Sequence, residues 1–146
     1  MIVILDDVIN DLDPDFNYSL QWCDLDQDHK YKDLCLSFVN TARNYFDLDK
    51  CVGYECWSQS NTPNSNWHYD KDERLAAEGK LSFPLCSMIY YVHVDAKGGQ
   101  LHLEDDIITP KNNRLVIFSP GIFHGVDPYQ GERVAFLVNP WDRCIV

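Results

Sequence analysis

Short apolar runs separated by turn residues dominate the second half of the chain. Five strands are predicted there, with Gly, Pro and Asn at the turns between them: residues 85–94, 100–104, 107–110, 114–118 and 133–138. Upstream, residues 51–59 alternate apolar and polar side chains with the period of two that a half-buried strand shows. Short strands at regular spacing are typical of a sandwich or a barrel, so the chain is predicted to be mainly β.

The N-terminal third has a different pattern. Residues 1–5 are uniformly apolar, which predicts a short strand that is either buried on both sides or placed at a sheet edge. Residues 28–47 predict a helix that packs on the outside of the sheet, with Asp28 as its N-cap. Its apolar stripe has three- and four-residue spacing and consists of Leu34, Phe38, Ala42, Tyr45 and Phe46.

The charged segment 71–80 interrupts the β pattern. It predicts either a solvated face or a lid with a helical turn around Leu75. The predicted fold is mainly β with one or two flanking N-terminal helices, of which the helix over 28–47 is one.

Length and composition predict one globular domain. The chain has 146 residues, of which 45% are hydrophobic and 13% aromatic, which argues against disorder. We assign residues 1–146 to a single domain, in which 1–50 form a supporting strand and helix and 51–141 form the β core. The formal net charge of -11 and the lack of a basic stripe make nucleic acid an unlikely partner.

The six cysteines show no CxxC pair and no regular spacing. The first residues, 1–5, are apolar but are followed by two aspartates and lack the basic region of a signal peptide. We therefore predict reduced, mostly buried thiols in a cytoplasmic protein. No apolar stretch is long enough for a membrane span, so no membrane partner is predicted.

The strongest chemical signal is the segment Asn66-Trp67-His68-Tyr69-Asp70, considered with His124. If this segment is a strand, the side chains of His68 and Asp70 share one face. Two histidines and one carboxylate are the ligand set of non-haem Fe(II) sites that leave positions open for O2. The alternative is an exposed His-x-Asp in a loop, but the flanking aromatic residues favour a buried strand, where an unpaired Asp is costly.

Arg133 lies inside an apolar run, nine residues after His124. It is either an edge residue whose head reaches water, or a buried guanidinium that donates two parallel hydrogen bonds to one carboxylate. The other histidines, His29, His93 and His102, have weaker claims to a role in chemistry.

Four sequence blocks in the right order resemble a known family. The blocks are 67–73 (WHYDKDE), 87–94 followed by 98–101 (SMIYYVHV, GGQL), 115–120 (LVIFSP) before His124, and 131–133 (GER). Over residues 51–141 they resemble the 2-oxoglutarate- and Fe(II)-dependent dioxygenases, particularly the small prolyl-4-hydroxylase-like branch. The resemblance implies a double-stranded β-helix, or jelly roll.

The resemblance also implies the site and its chemistry. Fe(II) would be held by His68, Asp70 and His124, and Arg133 would bind the distal carboxylate of the co-substrate 2-oxoglutarate. Many relatives have Ser or Thr where this chain has Ala135, so Tyr91 is expected to supply the missing hydroxyl donor. Tyr90, on the opposite face of its strand, is the fallback.

O2 and 2-oxoglutarate would be consumed, and succinate and CO2 released. The carboxylate of Asp70 implies hydroxylation rather than halogenation, because halogenating relatives have a small residue at that position. The substrate is open: a peptidyl proline, another side chain or a small metabolite fits. Arg74, in the segment after Asp70, would border the substrate entrance.

Two other classes of function remain open at this stage. One is a cupin-like metal-binding β-barrel enzyme that does not use 2-oxoglutarate and does not need Arg133. The other is a non-catalytic jelly-roll binding module. A structural zinc site is disfavoured because the sequence places no fourth ligand near His68, Asp70 and His124.

Overall fold

A computed structural model describes residues 1–9, 16–60 and 65–145. These residues form two helices and ten strands. The helices are α1 (Lys32–Ala42) and α2 (Glu73–Ala77). The strands are β1 (Ile2–Asp6), β2 (Gln21–Asp24), β3 (Gly53–Ser60), β4 (Ser65–His68), β5 (Ser87–Gly98), β6 (Leu101–Leu103), β7 (Asp106–Ile108), β8 (Arg114–Phe118), β9 (His124–Val126) and β10 (Tyr129–Trp141).

The strands form two antiparallel sheets. A six-stranded sheet has the order β1-β8-β5-β10-β3-β2, and a four-stranded sheet has the order β4-β9-β6-β7. The long strands β5 and β10 pair along most of their length at the centre of the larger sheet. Two facing antiparallel sheets with crossing connections form the jelly roll, so the predicted fold class is confirmed.

Strict alternation divides the larger sheet into two faces. On β10, Val134, Phe136 and Val138 pack in the core beneath α1. Ala135 and Leu137 point the other way, into a second core between the two sheets. The odd-numbered side chains of β3, and those of β5 up to Tyr91, point into the space between the sheets. The candidate site lies in that space.

Helix α1 is shorter than predicted. It begins after Tyr31 without a side-chain cap, and the predicted cap Asp28 instead pairs with Lys32 at 3.2 Å. It ends at Ala42, because the next N–H groups, of Asn44 and Tyr45, bond to carbonyls three residues back rather than four. The predicted stripe therefore continues past the helix end.

Two other sequence features have clear structural roles. The charged segment contains α2, whose first turn is capped by the side chain of Asp72. Gly98 and Gly99 both have positive φ, at 89° and 71°, and make the turn that joins β5 to β6. The predicted strand over residues 1–5 is β1, which lies at the edge of the larger sheet. Neither described helix has the length and apolar character needed to cross a membrane.

Candidate active site

Two histidines lie side by side on neighbouring strands of the smaller sheet. His68 ends β4 and His124 begins β9, and the two are direct cross-strand partners in the register. Directly opposed residues in an antiparallel pair point to the same face. Their ring centroids are 4.5 Å apart. Residues that are far apart in sequence thus meet because the two strands pair.

Asp70 completes the cluster from outside the strand. The sequence predicted that His68 and Asp70 share a face of one strand, and this is wrong, because β4 ends at His68. The chain nevertheless turns Asp70 toward both rings: its Oδ1 lies 3.3 Å from Nε2 of His68 and 3.5 Å from Nε2 of His124. All three ligand atoms lie within 4.8 Å of one another.

The charge of Asp70 is maintained by its neighbours. Burial acts to raise the pKa of its carboxyl group, but hydrogen bonds from His124 and His68 outweigh burial and hold that pKa well below its usual range. The carboxylate is therefore ionised, as a metal ligand must be.

The ring of His124 is oriented by the backbone. Its Nδ1 lies 2.8 Å from the carbonyl oxygen of Ile122. A carbonyl only accepts, so Nδ1 donates to it, and Nε2 is the nitrogen that faces Asp70 and is available to a metal ion. Metal-binding histidines commonly have this arrangement, in which one nitrogen donates to a carbonyl and the other binds the ion. The donor set therefore fits a metal such as Fe(II).

Arg133 lies on β10, on the wall of the same cavity as His68 and His124. It is 4% exposed, and its guanidinium carbon lies 5.1 Å from the ring centroid of Tyr91 and 5.7 Å from that of Tyr129. Both tyrosine hydroxyls are buried and make no hydrogen bond within the described part of the chain. Burial raises the pKa of each tyrosine, so both remain neutral donors. Clustered donors of this kind fit a carboxylate ligand.

Tyr91 is the residue that the sequence predicted to donate a hydrogen bond to the co-substrate. Tyr129, whose ring also lies beside Arg133, was not singled out from the sequence. Tyr129 and Arg133 are four positions apart on β10, and this spacing would have predicted a shared face had the strand been extended upstream. Tyr90 lies on the α1 side, where its hydroxyl donates to Asn113 at 2.7 Å. Ala135 faces the site, as the comparison with Ser or Thr relatives assumed.

Gly99 allows Tyr129 and Arg133 to approach the turn after β5. A Cβ added at Gly99 would lie 3.3 Å from Cδ of Arg133 and 3.3 Å from the Tyr129 side chain. The Gly98-Gly99 pair therefore has a second role besides the turn. The missing side chain at Gly99 leaves room for the side chains of Arg133 and Tyr129.

Two cavities adjoin the histidines. A narrow one runs from His68 and His124 to Arg133, with walls that include Trp57, Ala135 and Leu137. A wider one of about 190 Å³ opens on the other side of His68 and Asp70. Its remaining lining residues come from β3, β10, α2, the chain between β4 and α2 and the chain before β2: Leu20, Glu55, Trp57, Tyr69, Lys71, Glu73 and Asn139.

Glu55 is a partly buried carboxyl group on the wall of the wider cavity. Burial raises its pKa, and the nearby carboxylates of Asp70, Asp72 and Glu73 raise it further, against a hydrogen bond from Trp141. Arg74 is exposed on α2 and lines a separate surface pocket with Arg143, and a place at the substrate entrance stays a prediction.

A second cluster with ligand-type atoms lies on the α1 side of the larger sheet. Cys23, His29 and Cys56 also have ligand atoms within 4.8 Å of one another. Here both ring nitrogens of His29 are engaged, one with the Tyr18 hydroxyl at 2.8 Å and one with the Tyr54 hydroxyl at 2.6 Å. We interpret this cluster as part of the protein core.

The other histidines pair with carboxylates away from the site. His93 lies 3.0 Å from Glu132, and His102 lies 2.7 Å from Asp127. Five of the six cysteines are buried, and the sixth, Cys144, is exposed.

A jelly roll with a His-Asp-His cluster at one end of its sheets and a buried arginine beyond it defines a class: the iron-dependent oxygenases that use an organic acid as co-substrate. Residues 56–141 match the model of the 2OG-Fe(II) oxygenase superfamily. The chain belongs to this family, and is a 2-oxoglutarate-dependent oxygenase. Fe(II), 2-oxoglutarate and O2 are the reactants that the family uses.

Solved structures with the same fold include three prolyl hydroxylases. The chain is 21% identical to a prolyl-4-hydroxylase from Pseudomonas putida, with a TM-score of 0.61, covering 85% of this chain and 72% of that one. It is 13% identical to the viral collagen prolyl hydroxylase of Paramecium bursaria Chlorella virus-1 in its 2OG complex, with a TM-score of 0.63, covering 96% and 95%.

A prolyl hydroxylase from Trichoplax adhaerens, in complex with a hypoxia inducible factor oxygen degradation domain peptide fragment, is 18% identical. Its TM-score is 0.56, with 86% of this chain and 64% of that chain covered. These likenesses show the fold. No curated protein matches the chain.

Proposed function

We propose that this oxygenase hydroxylates its substrate at a metal held by His68, Asp70 and His124. The observation that carries the proposal is the convergence of both Nε2 atoms on one partly buried carboxylate oxygen, at 3.3 and 3.5 Å. When bound there, Fe(II) with 2-oxoglutarate supplies an oxidant that inserts one atom of O2 into a C–H bond and leaves the other in succinate, with release of CO2.

The chain's own residues have separate tasks. His124 is held in one tautomer by Ile122, and this presents a lone pair to the metal. Arg133, with Tyr91 and Tyr129 beside it, anchors the distal carboxylate of 2-oxoglutarate. The apolar walls between these two ends limit the entry of water to the reacting atoms.

The family match favours this function over a cupin-like enzyme that does not use 2-oxoglutarate and over a non-catalytic binding module. The solved relatives are prolyl hydroxylases. A peptidyl proline therefore stays a candidate substrate, next to other side chains and small metabolites. The assignments of residues 1–146 to one domain and of the protein to the cytoplasm stay predictions.

The test is the visible absorption band that a keto acid gives when Fe(II) chelates it. Fe(II) and then 2-oxoglutarate are added to the purified protein without oxygen. We expect the band in the natural protein and in His93→Ala, a control histidine on β5, and its loss in His124→Ala. A band that persists in His124→Ala would contradict the ligand assignment.

A further inference from the structure

The wider cavity beside His68 and Asp70 presents hydrogen-bond acceptors at one end. Glu55 on β3 and Asn139 on β10 are direct cross-strand partners in the sheet register. Both side chains line this cavity. Because opposed residues of an antiparallel pair share a face, the carboxylate and the amide lie side by side, where one ligand group could contact both.

Asn139 is a buried acceptor that lacks a donor. The residue is 2% exposed, and its Oδ1 has no hydrogen-bond partner among the residues that the structure describes. An unsatisfied buried carbonyl oxygen costs free energy, and this cost is removed when a ligand donates to it.

Glu55 is oriented by a hydrogen bond, and its charge is not balanced by an ion pair among the described residues. Its Oε1 accepts from the indole Nε1 of the fully buried Trp141 at 3.0 Å. No cationic side chain pairs with it in the described ranges. Lys71, which also lines the cavity, lies 3.4 Å from the carboxylate of Glu73 and pairs with it.

The other walls of the cavity are apolar or aromatic. Leu20 and Trp57 line it together with Tyr69. Such walls match the stem of an aliphatic side chain, and the aromatic faces attract a cation. An ammonium group has three donors and no acceptor, so it complements a carboxylate and a carbonyl oxygen at once.

We propose that the substrate of this site is an aliphatic chain that ends in a primary ammonium group, bound through Glu55 and Asn139 with its methylene groups beside His68 and Asp70. The chemistry is shared by a lysine side chain of a polypeptide and by a small free alkylamine. The proposal rests on the proposed function, because it assigns the hydroxylated C–H bond to that chain.

The experiment measures binding rather than turnover. The protein is loaded with Fe(II) and 2-oxoglutarate without oxygen and is titrated calorimetrically at about 0.15 M salt, which screens the attraction of a cation to the acidic surface as a whole. The probes are N-acetyl-lysine amide and N-acetyl-norleucine amide, which share the stem and differ in the ammonium group. Pentylammonium is the third probe.

We expect the lysine probe to bind about tenfold or more tightly than the norleucine probe. Glu55→Gln should remove this preference, because glutamine can still accept from Trp141 but carries no charge. Glu104→Gln, an exposed residue on the β6–β7 turn, removes the same charge from the protein and should leave the preference intact.

Three outcomes would overturn the proposal. Equal binding of the lysine and norleucine probes does so, and this result does not depend on any variant. An unchanged preference in Glu55→Gln does so as well. A loss of preference in Glu104→Gln equal to that in Glu55→Gln would assign the effect to net charge.

Two readouts separate this proposal from the function on which it rests. If 2-oxoglutarate binds and the lysine probe does not, the alkylammonium proposal fails while the oxygenase site stands. If 2-oxoglutarate itself does not bind, the proposed function fails and the alkylammonium proposal fails with it. Binding of pentylammonium as tightly as the lysine probe indicates a free amine, and tighter binding of the lysine probe indicates a polypeptide; both results support the ammonium assignment.

Discussion

Two clusters in this protein each have metal-ligand-type atoms that lie within 4.8 Å of one another. They differ in the hydrogen bonds that these atoms already make. In the His68-Asp70-His124 cluster, His124 donates through Nδ1 to a backbone carbonyl, and Nε2 stays directed at Asp70. In the Cys23-His29-Cys56 cluster, both nitrogens of the imidazole are hydrogen-bonded to tyrosine hydroxyls. Proximity alone therefore does not distinguish a metal site from a polar part of the core.

The protonation of the ligands differs as well. Asp70 is ionised, whereas burial and the neighbouring Cys56 raise the pKa of Cys23 to about 11. The pKa of Cys35 is raised by its hydrogen bond to Cys56 and by burial, and only that of Cys56 is lowered, because the other two thiols donate to it. A metal binds thiolates and not thiols, so the second cluster would have to lose protons that its burial retains.

The largest expected effect separates the two clusters directly. Asp70→Ala should abolish Fe(II) binding, because it leaves two imidazoles without the charged ligand. Cys56→Ala should leave iron binding unchanged and lower the free energy of unfolding by about 1–2 kcal/mol, because it removes a small buried side chain. The iron content after anaerobic reconstitution measures the first effect, and denaturant unfolding measures the second. Iron loss in Cys56→Ala would contradict the comparison.

Arg133→Ala should come next in size. The metal should still bind, but 2-oxoglutarate should bind more weakly by about 2–5 kcal/mol, the usual cost of removing one partner of a buried charge pair. Calorimetric titration of 2-oxoglutarate into the Fe(II)-loaded protein measures this. Arg74→Ala, on the exposed helix α2, is the matched control and should bind the co-substrate normally. Equal affinities in the two variants would place the carboxylate elsewhere.

Single tyrosine hydroxyls should have smaller effects. Tyr91→Phe and Tyr129→Phe should each weaken 2-oxoglutarate by about 1 kcal/mol, the net value of one hydrogen bond, with little loss of stability because neither hydroxyl has a partner in the described protein. Tyr90→Phe should leave 2-oxoglutarate binding unchanged and lower the stability of the protein, because the Tyr90 hydroxyl faces α1 and donates to Asn113. The same titration and unfolding curves test both statements, and a normal affinity in both site variants would remove the tyrosines from the co-substrate site.

The smallest effect concerns the pH dependence of stability. Burial, with help from Lys32, lowers the pKa of His29. The unfolded chain, with a pKa of about 6.5 at this residue, then binds more protons than the folded chain, so stability falls as the pH drops below about 6.5. His29→Gln should flatten the pH dependence of the unfolding free energy between about pH 7.5 and 5.5. An unchanged slope would mean that His29 does not titrate differently on folding.

The sequence allowed the fold and most of the site to be predicted, for identifiable reasons. Alternation of apolar residues identified the central strands, and the ordered blocks around His68, His124 and Arg133 indicated the family. The position of Asp70 was predicted for the wrong reason, because the end of a strand depends on which strand pairs with it.

Other features depended on information that periodicity does not carry. Helix α1 ends where the backbone N–H groups begin to bond to the carbonyl three residues back instead of four. The pattern of apolar side chains does not reveal this change. The pairing of Glu55 with Asn139 requires the register between β3 and β10, which are far apart in sequence. Tyr129 could have been found from its even spacing to Arg133, but only once β10 was known to start there.

The pairing of β4 with β9 has a consequence for folding. β4 lies at the edge of the smaller sheet, and its register with β9 contains two residue pairs with an irregularity between them. An ion held by His68 and His124 would cross-link these strands and close a long loop of the chain. The ion should therefore stabilise the fold in addition to its part in the reaction. At a free concentration a hundred times its dissociation constant, it would raise the free energy of unfolding by about 2.7 kcal/mol. Chelation should therefore speed hydrogen–deuterium exchange at the amides of β4 and β9 before it affects those of β5 and β10.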